Sequence, residues 1–429
     1  MTGLWAAPHA TRPVRGSVTV PASKSLTNRY LLLAALADGP SRVANPLVSR
    51  DAELMLGAVT ALGVDVRREP ADRAWVLTPP PRLRGGAQVD CGLAGTVLRF
   101  VPPVAALAAG PVTFDGDPQA RVRPLAPLVG ALRDLGVRVE AAAGDRLPIT
   151  VHGTGRVSGG DVAIDASGTS QFLSALLLLG ARCEQGLRVR HTGDRLPSVP
   201  HVAMTEQVLT EAGVRVERAG DREWHVAPGP VRALHLAVEP DLSSAAPMLA
   251  AAAVTGGTVT VPGWPHRTTQ AGDRMREVLS RMGVAVEQGE SGLTVHGPGE
   301  PGRPGLAGVD LDLHDAGELT PVVAALAALA DGPSVLRGVA HLRGHETDRL
   351  AALETELRRL GCGVRQTEDG LAIDPAPLTA GTLRTYADHR MAMAAAVLAL
   401  AVPGVLVEDV GTTAKTYPGF AQAWEELVG

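Results

Sequence analysis

The sequence predicts an α/β fold assembled from six repeated units of about 70 residues, most naturally three to a domain. Three features recurring in fixed order carry that reading. An Ala/Leu-rich stretch opens on small, polar or charged residues. A Gly or Pro turn then leads into a short β-branched run. An amphipathic helix ending in glycine follows, with an alternating strand behind it. At 429 residues the chain exceeds one ordinary core, so two domains are expected.

The Ala/Leu-rich stretches run from Ser25 to Leu36, Gly95 to Leu107, Ser170 to Leu179, Ser243 to Ala253, Glu318 to Leu329 and Asp388 to Leu400. Each leads into a run such as Gly256-Gly257-Thr258-Val259-Thr260-Val261 or Pro403-Gly404-Val405-Leu406-Val407. The second helix of each unit ends in Leu62-Gly63-Val64-Asp65-Val66, Leu135-Gly136-Val137-Arg138-Val139, Ala212-Gly213-Val214-Arg215-Val216, Met282-Gly283-Val284-Ala285-Val286 or Leu360-Gly361-Cys362-Gly363-Val364. Glycine there supplies the left-handed residue that stops a helix, and Val-x-Val has the period of a half-buried strand. The sixth copy falls at the end of the chain, in Phe420 to Val428.

Composition excludes several function classes. Hydrophobic residues make up 45% and charged residues 20%, which is a folded globular balance. Aromatics are only 3%, so the core is built from Ala, Val and Leu, and platforms for stacking nucleic-acid bases are absent. With a net charge of −5 there is no basic footprint, and no nucleic-acid partner is expected. Cys91, Cys183 and Cys362 are few and widely spaced, fitting neither a disulfide framework nor a zinc site. No apolar run reaches the ~18 residues of a membrane span, and the N-terminus has no secretory apolar segment. A soluble cytoplasmic protein without a membrane partner follows as the expectation.

Lysine occurs only at Lys24 and Lys415, so 38 of the 40 basic side chains are arginine. A chain that uses arginine wherever charge suffices keeps lysine where a compact, rotatable ammonium with an adjustable pKa is required. Lys24 opens the first apolar helix, in Ser23-Lys24-Ser25. The other openings are Ala94-Gly95-Thr96, Ser167-Gly168-Thr169-Ser170-Gln171, Asp241-Leu242-Ser243-Ser244, Asp315-Ala316-Gly317-Glu318 and Asp388-His389-Arg390. Helix N-termini expose unpaired N–H groups and partial positive charge, so small residues there admit an anion. Arg29, Arg99, Arg121, Arg123, Arg349 and Arg390 lie at or near such openings and turns, and guanidinium binds phosphate and carboxylate bidentately. An anionic substrate carrying more than one phosphate is therefore expected.

Asp315, Glu346 and His389 are candidate proton-transfer groups. A carboxylate among cations stays ionised and suits a base, whereas a drier one keeps its proton. The competing structural expectations are that Asp315 caps its helix and that Glu346 forms a surface ion pair with Arg349. No P-loop, dinucleotide fingerprint or nucleophile elbow is present, and His341 to Glu346 lacks the helical spacing of a zinc motif, so no metal is expected.

Pro21-Ala22-Ser23-Lys24-Ser25-Leu26-Thr27-Asn28-Arg29, Leu93-Ala94-Gly95-Thr96-Val97-Leu98-Arg99, Ser170-Gln171-Phe172-Leu173, His345-Glu346-Thr347-Asp348-Arg349-Leu350, Asp388-His389-Arg390-Met391-Ala392-Met393 and Ala414-Lys415-Thr416-Tyr417-Pro418 together resemble the EPSP synthase family of enolpyruvyl transferases. The resemblance runs from about Val14 to Phe420, with several independent motifs in family order. It implies an α/β (α+β) enolpyruvyl transferase fold: two similar domains, each of three βαβαββ-type units, joined by a hinge crossed twice. One domain would comprise residues 1–22 with 239–429, on the phosphoenolpyruvate side, and the other residues 23–238, on the shikimate-3-phosphate side.

The implied reaction is transfer of the enolpyruvyl group of phosphoenolpyruvate to the 5-hydroxyl of shikimate-3-phosphate, by addition and elimination through a tetrahedral intermediate. This is the sixth step of the shikimate pathway towards chorismate, and it requires no metal or organic cofactor. Residue by residue, the resemblance assigns shikimate-3-phosphate to Ser25, Arg29, Thr96, Thr169, Ser170, Gln171, Ser198, Asp315, His341 and His345. It assigns phosphoenolpyruvate to Lys24, Gly95, Arg123, Gln171, Arg349, Arg390 and Lys415, and catalysis to Lys24, Asp315 and Glu346. A monomer is expected.

Departures from the commoner bacterial pattern stand at Leu93, His201, His341 and His345, where Asn, Tyr, Asn and Lys are usual. Leu93 offers no side-chain hydrogen bond, and His345 is expected to make phosphate affinity more pH-dependent than lysine would. Gly95 leaves room for a phosphonate inhibitor such as glyphosate, so sensitivity is expected. Two alternatives stand beside this reading. One is a UDP-N-acetylglucosamine enolpyruvyl transferase, although Gly110 to Ala120 lacks the reactive cysteine of that family. The other is a non-catalytic or secondary-metabolite paralogue that binds anionic ligands.

Overall fold

In the computed structural model, which describes residues 3–429, the Ala/Leu-rich stretches form the helices Lys24–Leu36, Gly95–Ala105, Gln171–Gly180, Leu242–Thr255, Thr320–Ala328 and His389–Ala401. They are apolar around most of their circumference, and a helix of that kind has to lie inside. Leu242–Thr255 is buried at every residue. Ser23, Asp241 and Asp388 cap three of them, accepting from the N–H groups of Leu26 (3.4 Å), Ser244 (2.8 Å) and Arg390 (2.9 Å). Each bond satisfies an N–H that the helix itself leaves unpaired.

The fifth opening differs from expectation. The chain enters it as a 3-10 segment, His314–Leu319, broken at Ala316 (φ −131°, ψ 35°), and turns α-helical only at Thr320 with Pro321 in the first turn. Leu319 occupies the cap position with no side-chain cap bond, so Asp315 does not cap this helix.

The amphipathic helices are Arg50–Ala61, Ala126–Asp134, Val199–Glu211, Met275–Arg281 and Arg349–Arg359. The glycine that stops each has a positive φ: 96° at Gly63, 79° at Gly136, 78° at Gly213, 87° at Gly283 and 100° at Gly361. Only glycine adopts these angles without strain, which is why the residue recurs with the repeat.

Five four-stranded sheets share one pairing pattern, and a three-stranded sheet forms a sixth. In one of them Ala87–Asp90 runs parallel to Ala109–Asp115, which is antiparallel to Arg146–Thr154, itself antiparallel to Arg138–Ala142. The helix Gly95–Ala105 links the parallel pair, and Ala126–Asp134 precedes the antiparallel one, giving the βαβαββ order. Two parallel partners come from distant sequence. His235–Ala237 pairs with Ser41–Ala44, and Arg15–Ser17 pairs with Thr258–Val261. In the three-stranded sheet Leu4–Ala6 pairs antiparallel with Leu406–Glu408, beside Thr382–Leu383. The helix Phe420–Val428 belongs to this sixth unit, whose third strand is thus drawn from the N-terminus.

The chain divides into two compact units: Ala22–Val238, and Glu239–Gly429 together with the segment that ends at Pro21. Each contains three of the sheets and its own apolar core. In the first, Phe100, Phe114, Phe172 and Trp224 are the bulkiest fully buried apolar side chains among Ala, Val and Leu; in the second, Phe420 and Trp424 are. Among the described residues no helix is long and apolar enough to cross a membrane.

Candidate active site

In the Ala22–Val238 unit the polar openings gather several of the expected residues. Lys24 is the first residue of its helix, and its Nζ lies 3.4 Å from Oδ2 of the buried Asp51. Asp51 sits in the first turn of Arg50–Ala61, where the helix dipole favours a carboxylate. Arg29 is buried one turn deeper, over the Phe100 ring at 5.0 Å. It donates to Thr205 Oγ1 (2.8 Å) and to the carbonyls of Ser25 (3.0 Å) and His201 (3.0 Å). Arg29 therefore braces the helix Val199–Glu211 against Lys24–Leu36 whatever else it binds. Thr96 Oγ1 accepts from Asn28 Nδ2 at 2.6 Å, and Thr169 Oγ1 accepts from the N–H of Gln171 at 3.3 Å. Ser170 and Ser198 hold the cap positions of the helices Gln171–Gly180 and Val199–Glu211, Ser198 in a left-handed conformation (φ 52°, ψ 51°).

Gly95 is the centre of a cationic group in this unit. A Cβ placed on it would stand 3.0 Å from Arg99 Nη1, 3.3 Å from Arg123 Nη1 and 3.3 Å from Gln171 Oε1. Arg99 donates to Gln171 Oε1 at 2.7 Å, which fixes the amide so that its NH2 is left to donate elsewhere. Arg123 donates to the Leu93 carbonyl at 3.3 Å, so the backbone at Leu93 serves this arginine whatever the side chain. Burial and then the neighbouring Arg123 push the Arg99 guanidinium down to about 9. Two guanidinium groups side by side, with no carboxylate paired to either among the described residues, make a place that an anion would stabilise. The sequence had marked Arg99 as one of several cations; its hold on Gln171 had no signal there.

In the second unit the expected residues form a chain of charge pairs. Lys415 Nζ lies 2.5 Å from Glu346 Oε1, and Glu346 Oε2 accepts from His389 Nδ1 at 3.1 Å. The expected surface pair between Glu346 and Arg349 is not formed. Glu346 is largely enclosed and turned to Lys415 and His389, while Arg349 is taken by Asp388. Arg349 donates through Nε to Asp388 Oδ2 (2.7 Å) and through Nη2 to Oδ1 (3.2 Å). Arg390 Nη2 lies 2.9 Å from Glu318 Oε2. Asp315 is exposed.

The titration of these groups follows from their neighbours. Burial opposes ionisation of Glu346, but His389, Lys415 and Arg349 outweigh it and hold the carboxyl well below its usual range. Burial likewise opposes ionisation of Asp388, and Arg349 overcomes it. Burial lowers His389, against the pull of Glu346, whose Oε2 lies 3.1 Å from its Nδ1.

His314, His341 and His345 stand in a row, the first two rings T-shaped with centroids 5.8 Å apart and the last two tilted at 5.5 Å. His345 keeps part of its surface open to solvent, yet the protein packed around it, with Arg349 and His341, pushes its pKa down to about 3. A shift in that direction works against the pH dependence near neutrality that a histidine at this position would otherwise give. His345 Nδ1 faces Arg349 Nη1 at 3.3 Å, and because arginine only donates, the imidazole proton belongs on Nε2.

Glu346, Asp388 and His389 offer ligand atoms within 4.8 Å of one another, the geometry of a small cation site. Both carboxylates are already matched to Lys415 and Arg349, so a further cation there would meet two fixed positive charges. Cys91, Cys183 and Cys362 are buried and unpaired by disulfide, and burial pushes them up to about 12, 12 and 11. They are inert small residues rather than nucleophiles.

The model of the family described as EPSP synthase (3-phosphoshikimate 1-carboxyvinyltransferase) matches residues 8–424. A curated relative, the 3-phosphoshikimate 1-carboxyvinyltransferase of Kocuria rhizophila, is 55% identical over 442 aligned positions that cover 99% of this chain and 97% of that one. Among solved structures, EPSP synthase from Acinetobacter baumannii is similar with a TM-score of 0.79 at 23% identity, covering 99% of this chain and 98% of that chain. The enolpyruvyl transferase NikO from Streptomyces tendae is similar with a TM-score of 0.74 at 21% identity, covering 98% and 96%. The two structural likenesses bear on the fold; the family match and the curated relative span nearly the whole sequence, and by them the chain belongs to the EPSP synthase (3-phosphoshikimate 1-carboxyvinyltransferase) family.

Proposed function

We propose that this transferase moves the carboxyvinyl group of phosphoenolpyruvate onto the 5-hydroxyl of shikimate-3-phosphate and releases phosphate, as the sixth step of the shikimate pathway. The observation that carries the reading is the family match over residues 8–424 together with both lysines facing carboxylates, Lys24 against Asp51 where two helices begin and Lys415 against Glu346. The enzyme acts as a cytoplasmic monomer, without nucleic acid.

In the assignment we favour, Ser25, Arg29, Thr96, Thr169, Ser170, Gln171, Ser198, Asp315, His341 and His345 bind shikimate-3-phosphate. His345 donates from Nε2 to a phosphate oxygen as a neutral ring. Lys24, Gly95, Arg123, Gln171, Arg349, Arg390 and Lys415 bind phosphoenolpyruvate, joined by Arg99, which orients the Gln171 amide. Cations and helix N–H groups offset the repulsion between the anionic substrates and hold the hydroxyl near C2.

The exposed carboxylate of Asp315 takes the proton of the 5-hydroxyl as its oxygen attacks C2 of phosphoenolpyruvate. C3 accepts a proton, giving a tetrahedral carbon that bears carboxylate and phosphate. Glu346 and Lys415, 2.5 Å apart, are suited to share that proton, giving it to C3 and later taking it back. On its return the C2–C3 double bond forms, the C2–O bond to phosphate breaks, and Lys24 offsets the charge of the departing phosphate.

The test is to mix the protein with both substrates in the presence of a chelator and follow phosphate release. Release that depends on shikimate-3-phosphate is expected. No release above background, with turnover of UDP-N-acetylglucosamine instead, would overturn the proposal.

A further inference from the structure

Between the strand Thr382–Leu383 and the helix His389–Ala401 the chain makes a strained turn that the reaction scheme does not use. The N–H of Asp388 donates to the carbonyl of Thr385 at 2.9 Å, closing four residues into a β-turn. Its central residues, Tyr386 (φ 54°) and Ala387 (φ 56°), both have positive φ. Two consecutive positive φ angles mark the turn that asparagine-glycine favours, and residues with a β-carbon adopt it only when their surroundings compel them.

The compelling group is Glu356. Its carboxylate, 3% exposed at the residue level, accepts from the Tyr386 hydroxyl (2.6 Å), the Arg384 N–H (3.2 Å) and Arg359 Nε (3.0 Å). Tyr386 itself is 38% exposed, so ring burial does not hold it and the hydroxyl bond does. Burial and then Glu356 push the phenol up to about 12, so it remains a donor at any working pH. Glu356 lies on the helix Arg349–Arg359, two turns beyond Arg349, whose guanidinium grips Asp388. One helix therefore clamps both ends of the turn. Asp388 in turn caps the helix His389–Ala401 through the N–H of Arg390.

We propose that Glu356 and Tyr386 form a latch that holds this turn in its strained form and so positions Asp388, Arg349 and Arg390 for the anionic substrate. The latch touches no substrate; both residues are positioning residues. A relaxed turn would swing Asp388, taking the Arg349 fork and the start of the Arg390 helix with it. The inference rests on the proposed role of the two arginines in holding phosphoenolpyruvate.

The test compares Tyr386→Phe, Glu356→Gln and Ala387→Gly, alone and as Tyr386→Phe with Ala387→Gly, in the full-length chain. Tyr386→Phe is expected to raise KM for phosphoenolpyruvate about tenfold, with less change in KM for shikimate-3-phosphate, because displaced binding groups cost orders of magnitude at small offsets. Adding Ala387→Gly is expected to bring KM back to within about twofold of wild type, since glycine takes the turn without strain. Hydrogen exchange at the Asp388 and Arg390 amides should quicken in Tyr386→Phe and slow again in the double variant. A lowered Tm with unchanged KM and exchange would mean a merely structural contact and overturn the latch, as would failure of Ala387→Gly to rescue. If wild type shows no turnover, the proposed reaction is what fails, and the exchange measurement still decides the latch.

Discussion

At the scale of single residues, scarcity was the informative signal. Lys24 and Lys415 stood out against arginine, and each is found against a carboxylate, Asp51 at 3.4 Å and Glu346 at 2.5 Å. Arginine at position 24 would keep the charge but replace a compact ammonium with a broad fork. Lys24→Arg is expected to lower kcat about a hundredfold with little change in Tm, read from steady-state phosphate release and a melting curve. Gly95→Ala would set a methyl 3.0 Å from Arg99 Nη1 and against Arg123 and Gln171. That crowding should raise KM for phosphoenolpyruvate about tenfold, the worth of one misplaced methyl in a binding site. The partners of these residues were not legible. Asp51 lies on another helix, and the same holds for His345, where a histidine in place of lysine suggested titration near neutrality. Packing and Arg349 push it down to about 3. NMR titration of the His345 ring should therefore show a neutral imidazole from about pH 5 to 8, with the proton on Nε2.

At the scale of elements, the helix starts were read from sequence with their polar residues, and five of the six apolar helices begin within the openings so read. The exception, the opening before Thr320, was misread because Asp315 has a capping residue's chemistry while Pro321 and the break at Ala316 delay the helix. Which carboxylate meets which cation was also hidden, because a partner three residues away in sequence competes with partners brought in by tertiary packing. Asp388 is the central case: wholly buried, it caps a helix and takes the Arg349 fork. Asp388→Asn would leave a buried guanidinium without its counter-charge, and a loss of about 3–5 kcal/mol in urea denaturation is expected. The pH dependence has a definite sign. Asp388 and Glu346 have depressed folded-state values, so their contribution is complete above the unfolded carboxylate value and is lost as pH falls through the folded ones. Acid unfolding below about pH 4 should be shallower in Asp388→Asn than in wild type, since one of the two groups no longer titrates.

At the scale of the whole molecule, the repeat was legible because glycine stops, valine alternation and apolar helices are local features. The exchange of strands is not a local feature: only the resemblance grouped residues 1–22 with 239–429, and nothing in Arg15-Gly16-Ser17 or His235-Leu236-Ala237 itself says which sheet it joins. The exchange has a consequence for folding. Ala22–Val238 holds its three sheets and its core without residues from elsewhere in the chain, including the parallel strand His235–Ala237. Glu239–Gly429 lacks two strands, Arg15–Ser17 beside Thr258–Val261 and Leu4–Ala6 beside Leu406–Glu408. Expressed alone, it would expose the edges of two sheets and the core surface that Val14, Val18 and Val20 cover. Residues 22–238 are thus expected to fold by themselves with one cooperative urea transition. Residues 239–429 should aggregate or remain without a cooperative transition, and fusion to residues 3–21 should restore it. A cooperative transition in the unfused fragment would show that the borrowed strands add little to the fold.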